Sequence, residues 1–318
     1  MTLKIKKILC ATDFTAFSQE ALRFGVSLAH QFDALLSVFH VVYVPQDLVY
    51  GSAEFERGGE RDKAVAEAKI KIKSMMAPFQ IRWTEAVSIG EPVEQFLKVA
   101  ELQDADLIIT ASHGLSGFKR LFLGTVVERL CRALTRPLLV VRPRPYALSE
   151  SKANQHGTPD QKKIQNIAVA CADNNLSAKI IRYAADLALA FNARLHLVHA
   201  IEAPIDADLV EPTDAPYTQV QEQLKNQLRQ RLAERIPPQL RPQCDFMIAL
   251  RPGIPQEVLP VYTAEHNADL VIVGAWRQSK MENLLIGSTT KAMLRHAACD
   301  VLVLPFTETG DAQRHKDA

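Results

Sequence analysis

Thr110-Ala111-Ser112-His113-Gly114, then nine residues, then Gly124-Thr125-Val126-Val127, is the stretch on which the fold turns. Upstream, residues 106–111 form an apolar run of the length of a buried strand. Downstream, Val127, Leu130, Cys131 and Leu134 recur at helical spacing. A strand, a loop of small residues and a helix N-terminus therefore follow one another. Small residues let backbone approach a ligand closely. The first turn of a helix offers unpaired N–H groups and a partial positive charge. Together these suit a phosphate. An altered version returns as Gly274-Ala275-Trp276-Arg277, nine residues, then Gly287-Ser288-Thr289-Thr290.

Working outward from the first version, short apolar runs predict strands over 8–11 (closed by Thr12-Asp13), 34–42, 81–88, 106–111 and 137–142. Helical periodicity predicts helices over 18–32, with Ser18 as cap, and over 61–76. A third helix is entered through Gly90-Glu91-Pro92, and a fourth begins near Thr125. Residues 43–60 hold Pro45, Gly51, Gly58 and Gly59 and read as a long loop. Strands alternating with helices imply a parallel sheet covered on both faces. Pro143, Pro145, Gly157 and Pro159 then break the pattern, after which it starts again. Its second run has strands over 167–172 (leading into Asp173), 194–201 and 244–250, one centred on 269–272, and one over 301–304. Gly90 with Gly253, Asp106 with Asp269 and Gly124 with Gly287 share one offset. The chain therefore reads as two tandem copies of one domain. The first spans 1–146, a linker 147–163, the second 164–306, and 307–318 is a polar tail expected to be disordered.

Composition sets limits on function. The chain has 318 residues, enough for two cores, with 47% hydrophobic and 23% charged residues, ordinary for a soluble globular protein. A net charge of +1 without a dense Lys/Arg cluster argues against nucleic acid as a partner. The five cysteines are scattered and none forms CxxC, so reduced, mostly buried thiols in a cytoplasmic protein are expected. Met1 leads straight into an apparent first strand, so no signal peptide is expected. No apolar run is long enough to span a membrane.

The unit resembles the universal stress protein family. The resemblance rests on Ala-Thr-Asp13 closing the first strand and on Ser-His-Gly114 with nine residues to Gly124-Thr125. A helix and a Pro-Leu-Leu-Val-Val-Arg strand complete it. It extends over nearly everything but the linker and tail, and the duplication matches tandem members. It implies an α/β fold of two open five-stranded parallel sheets, order 3-2-1-4-5, with helices on both faces, adenine-nucleotide α-hydrolase-like. Strands 1 and 4 then diverge at a switch point, where such sheets bind ligands. The implied ligand is ATP or another adenine nucleotide, with Mg2+ as a companion of the nucleotide. Thr12 and Asp13 would meet the ribose or adenine end, and backbone around Val41 the adenine edge. Gly114 and Gly124 would admit the phosphates beside His113, and Thr125 would donate its hydroxyl next to the N–H groups of Val126 and Val127. Ala111 stands where the family has its first glycine. A methyl there fails outright only if the backbone needs positive φ. In the second copy Asp173, Gly274, Gly287, Ser288 and Thr289 remain, but Arg277 replaces the middle glycine. Its guanidinium either fills the phosphate pocket or adds a cation for phosphates. The first reading makes the second copy degenerate and mainly structural.

Plainer readings stand beside these. Asp13 and Asp173 could bond the loop that follows each strand. His113 could be an exposed loop histidine, and Lys119-Arg120 a solvated face. Glu128-Arg129 reads as an ordinary charged surface. His196 and His199 lie three apart on a strand and face opposite ways, and His40 matches His199. All three histidines read as packed or hydrogen-bonded. No cluster has metal-ligand spacing. Two function classes follow. One is a regulatory protein holding an adenine nucleotide in the first copy. The other is a stress scaffold without nucleotide, acting through partner or apolar-ligand surfaces on loops 43–60 and 202–216. Dedicated catalysis is not expected, since no P-loop Gly-Lys-Ser/Thr occurs. The fifth strands, 137–141 and 301–304, are apolar edges and are expected to pair the copies within one chain. Homodimerisation is left open.

Overall fold

The computed structural model describes residues 3–43, 58–112, 125–142, 163–172, 174–202, 215–277 and 286–307. The chain divides into two compact units, the bulk of one being Lys4–Lys162 and of the other Lys163–Ala275 with Ile286–Leu304. The first copy runs β1 (Lys7–Ala11), α1 (Ala16–Phe32), β2 (Leu35–Val42), α2 (Gly58–Met76), β3 (Trp83–Ile89), α3 (Pro92–Leu102), β4 (Leu107–Ala111), α4 (Thr125–Arg132), β5 (Leu138–Val141). The second runs β6 (Asn166–Ala170), α5 (Asn175–Phe191), β7 (Arg194–Ile201), α6 (Ala215–Glu234), β8 (Phe246–Pro252), α7 (Pro255–Glu265), β9 (Leu270–Arg277), α8 (Ser288–His296), β10 (Asp300–Thr307).

Strand order is β3-β2-β1-β4-β5 in the first copy and β8-β7-β6-β9-β10 in the second, the expected 3-2-1-4-5 twice. Pairing is parallel, with Ile8 opposite both Leu36 and Leu107. Every residue of β4 and of β5 is buried, as a strand covered on both faces requires. On one face Gly25 of α1 lies so close that a β-carbon there would touch Leu36 and Ile109 at 3.4 and 3.5 Å. On the other, Phe96 of α3 meets Phe39 of β2 with ring centroids 5.5 Å apart.

Paired backbone devices fix the turns in both copies. Gly90 and Gly253 have φ of 138° and 118°. Their N–H groups donate to the Val42 and Ile201 carbonyls at 3.1 and 3.0 Å. Asp106 Oδ2 accepts the N–H groups of Lys6 and Lys7 at 2.8 and 3.0 Å, and Asp269 Oδ2 accepts those of Gln165 and Asn166 at 2.8 and 3.1 Å. Each carboxylate thus ties the start of its fourth strand to the entry of its first. Asp33 and Asn192 cap α1 and α5 in the left-handed region, at φ 47° and 51°.

Several boundaries differ from the sequence expectation. The cap of α1 is Thr15, not Ser18: Thr15 Oγ1 accepts the Ser18 N–H at 3.3 Å, so the helix opens at Ala16. α2 opens at Gly58, inside the stretch read as loop, and α6 opens at Ala215. β10 continues through Thr307, the first residue assigned to the tail. Residues 143–162 and 308–318 lie outside the described residues. All five cysteines are buried. Burial pushes the thiols of Cys10, Cys131 and Cys171 up to about 12.

Candidate functional site

The predicted site residues of the first copy that the structure describes lie at or just past the carboxyl ends of β1, β2 and β4 and in the first turn of α4. Thr12 follows β1 and is buried. Its N–H donates to the Phe39 carbonyl at 2.8 Å. Its hydroxyl lies 3.1 Å from Ser18 Oγ and accepts the Phe14 N–H at 3.1 Å. Thr12 therefore shapes the loop through its side chain. Asp13 Oδ1 accepts the N–H and the hydroxyl of Thr15, at 3.0 and 2.6 Å. The plainer reading of Asp13 as a loop-bonding residue is thus observed. It occupies one carboxylate oxygen; Oδ2 has no hydrogen-bond partner among the described residues.

Val41 lies on β2, beyond the last residue of β1. Backbone groups alternate between the two sides of a strand. Phe39 turns its carbonyl to β1 and Val42 turns its carbonyl to β3. Val41 therefore presents its N–H and C=O on the β1 side, and pairing with β1 stops at Ala11 opposite Phe39. Next to this open rung sit residues that the sequence reading did not place in the site. Phe14 takes a left-handed backbone, φ 65°. Its ring lies 4.3 Å from that of His40, and Lys71 Nζ stands 5.4 Å from the Phe14 ring centroid. His40 Nδ1 is 2.8 Å from the Thr12 carbonyl. A carbonyl only accepts, so Nδ1 carries the proton. Burial, and to a lesser degree the charge of Lys71, hold His40 below its ordinary range; the Thr12 bond and Asp13 act the other way. The match of His40 with His199 was the signal available in sequence.

Ala111 ends β4 in register with Val141 and has no positive φ. Its methyl therefore imposes no backbone strain, which removes the one outright objection to it. α4 opens at Thr125, with Val126 and Val127 in its first turn. Val127 is buried and Val126 is 38% exposed. N–H groups of a first turn have no intrahelical acceptor. His113, Gly114 and Gly124, and Lys119-Arg120 with them, lie outside the described residues, as do the side chains of Thr125 and Arg277. The charged outer face is as expected: Arg132 pairs with Glu128 at 2.9 Å and Arg129 with Glu91 at 2.6 Å.

The second copy repeats the frame but not the polar groups. The Asp13 N–H donates to Ser18 Oγ, five residues on, and the Ala172 N–H donates to Ser177 Oγ, also five residues on. Thr15 and Asn174 cap their helices by accepting from those same serines. Ala172, not Asp173, therefore stands at the place of Asp13. Asp173 itself lies outside the described residues. Aligning the two caps, Thr15-x-x-Ser18 with Asn174-x-x-Ser177, would have revealed this from sequence. β4 ends at its fifth residue, Ala111, whereas β9 passes its fifth, Gly274, and runs on through Ala275, Trp276 and Arg277. Trp276 stacks on Phe306 with centroids 4.8 Å apart. Thr290, at the place of Val127, donates its hydroxyl to the Gly274 carbonyl at 2.8 Å. Gly287 caps α8 with open space around it, and Ser288 and Thr289 follow without a side-chain cap bond. His199 Nδ1 lies 2.8 Å from the Cys171 carbonyl, as His40 does from Thr12, and His196 Nδ1 lies 3.0 Å from the Tyr262 hydroxyl. Both are hydrogen-bonded strand histidines, as read. Among the described residues no group of three His, Cys, Asp or Glu could hold a metal ion. No helix among them is long and apolar enough to cross a membrane.

A doubly wound domain of strand order 3-2-1-4-5, present twice, defines the class. The model of the universal stress protein family matches residues 4–142 and again 163–305, and the chain belongs to that family as a tandem member. A universal stress protein of Methanocaldococcus jannaschii is 32% identical over 139 residues, 43% of this chain and 82% of its own. A second from the same organism is 28% identical over 158 residues, 45% of this chain and 98% of its own. The crystal structure of a universal stress protein from Archaeoglobus fulgidus matches with a TM-score of 0.62 over 95% of this chain and 99% of that one. At 16% identity this likeness bears on the fold alone.

Proposed function

We propose that the first copy binds ATP or a related adenine nucleotide, that the second is degenerate, and that the chain acts as a regulatory stress-response protein rather than a dedicated enzyme. The observation that carries this reading is the open rung beside Asp13. A backbone donor, a backbone acceptor and a carboxylate oxygen, none bonded to a described residue, lie together at the switch point. A base edge and a sugar hydroxyl need such groups, and the first turn of α4 supplies orphan N–H groups of the kind phosphates use. Mg2+ would arrive as a companion of the phosphates.

The second copy supports the contrast. Ala172 has no carboxylate, β9 stays extended where a phosphate loop must turn, and Thr290 ties α8 to the Gly274 carbonyl. Native mass spectrometry of the full chain titrated with ATP tests this. One nucleotide per chain, lost in Gly124→Arg and kept in Ser288→Ala, is expected. Two per chain would overturn the degeneracy of the second copy. None at millimolar ATP would overturn nucleotide binding and leave the scaffold that acts through partner or apolar-ligand surfaces.

A further inference from the structure

In a regular parallel ladder the rung after Ala11–Phe39 would need two bonds: the Val41 N–H to the Thr12 carbonyl, and the Phe14 N–H to the Val41 carbonyl. Neither forms. The Thr12 carbonyl faces His40 Nδ1 at 2.8 Å, so the imidazole of the residue next to Val41 occupies the acceptor that Val41 would use. The Phe14 N–H is turned away by the left-handed backbone of Phe14, φ 65°, and donates to Thr12 Oγ1 at 3.1 Å. The Phe14 ring then rests against His40 at 4.3 Å and restricts how the imidazole can turn. Val41 is of intermediate burial, as are His40 and Val42, so its backbone groups face a partly open place where water or a ligand can take them.

We propose that His40 is a positioning residue for the nucleotide: by taking the Thr12 carbonyl it keeps the Val41 N–H and C=O free to receive the edge of the base. The inference rests on nucleotide binding in the first copy. His199 holds the Cys171 carbonyl in the same way in the second copy, at 2.8 Å. There it takes the carbonyl that the Ala200 N–H would use, beside an Ala172 that offers no carboxylate, so the device persists in a copy read as degenerate.

The test measures amide hydrogen exchange at Val41 together with ATP affinity, in the full chain. In His40→Leu the Thr12 carbonyl is released to the Val41 N–H. Exchange at Val41 is then expected to slow about tenfold or more while ATP affinity falls about tenfold, the equivalent of one ordinary hydrogen bond. His40→Asn, whose amide N–H can reach the same carbonyl, is expected to restore both. His199→Leu is expected to slow exchange at Ala200 and leave ATP affinity unchanged. A structural role alone would lower affinity without slowing exchange at Val41, and that pattern overturns the proposal. So does unchanged affinity with a slowed Val41 amide. If His40→Leu does not fold, His40→Asn against wild type still decides: affinity lost in a folded His40→Asn that keeps the bond overturns it. Absence of ATP binding in the wild-type chain would instead refute the nucleotide reading itself, and the exchange data would still report on the rung.

Discussion

Ser37 of β2 is 4% exposed, lies opposite Leu9 and Thr84, and carries a hydroxyl with no hydrogen-bond partner among the described residues. A buried hydroxyl without a partner loses its hydration and gains nothing in return. Ser37→Ala removes it with little loss of packing, and stability is expected to rise by about 1 kcal/mol. Urea unfolding of the full chain measures this; an unchanged or lower midpoint for the first copy would show the hydroxyl to be satisfied. Gly90 argues the opposite direction. Its φ of 138° is disfavoured for any side chain, and a β-carbon there would meet Gln95 Nε2 at 3.2 Å. Gly90→Ala is expected to destabilise by more than about 1 kcal/mol, read in the same unfolding experiment. At this scale the sequence was legible unevenly. Gly90 and Gly253 could be matched because only glycine tolerates their backbone. The backbone at Ala111 could not be read from its identity, since alanine is compatible with most conformations and the methyl matters only at positive φ. Ser37 gave no sign of strain, because burial of a hydroxyl depends on neighbours across three strands.

Among the elements, α7 is held to its sheet differently from α3. The third residue of β2 is Ser37; the third residue of β7 is His196, 4% exposed. His196 Nδ1 lies 3.0 Å from the Tyr262 hydroxyl, and Tyr262 stacks on His266 at 3.9 Å. His266 Nδ1 in turn sits 3.0 Å from the Tyr262 carbonyl, and Arg251 stands 5.4 Å from the Tyr262 ring centroid. Burial first, then the neighbouring His266 and Arg194, lower the pKa of His196 from 6.5; Asp245 opposes them. Glu265, paired with Arg251 at 3.9 Å, is a further nearby acid. A lowered folded pKa means that the unfolded chain takes up the proton first. Stability is therefore intact above pH 6.5 and declines as pH falls below it toward the folded pKa. Hydrogen exchange across residues 194–201 and 255–265, corrected for intrinsic rates, is expected to rise between pH 7.5 and 5.5. His196→Asn, which keeps a polar group but does not titrate, should show a smaller rise; an equal rise would assign the acid response elsewhere. Apolar periodicity made the existence and order of these elements readable in sequence. Their starts were not: Thr15 displaced Ser18 as cap because its hydroxyl reaches the N–H three residues on. Gly58 and Gly59 lie inside the first turn of α2 although glycine usually signals a loop. The polar link between α7 and β7 joins residues far apart in the chain, and no local pattern announces it.

Over the whole molecule, duplication separates what the fold requires from what the first copy's site requires. Both copies keep the Asp106 and Asp269 clamps, the positive-φ glycines, the left-handed caps and the histidine on the first-strand carbonyl. Those features position backbone, and the repeat made most of them visible in sequence. Three of the differences lie at the switch point: Asp13 against Ala172, Gly114 against Arg277, Val127 against Thr290. The sequence showed the second pair directly. It misdirected the first, because Asp173 stands one residue from the register that the helix caps set. It was silent on the third, because Thr290 matters only through the Gly274 carbonyl. If these three positions account for the loss, restoring them should restore binding. The variant Ala172→Asp with Arg277→Gly and Thr290→Val is expected to take up a second nucleotide per chain in native mass spectrometry. Asp13→Ala in the otherwise native chain is expected to weaken the first by about tenfold to a hundredfold, the range for a hydrogen bond to a charged group. A folded triple variant that still takes a single nucleotide would mean that these three changes are not what silenced the second copy. The extended course of β9 beyond Gly274, held by the Trp276 stack on Phe306, would then be the next barrier to remove.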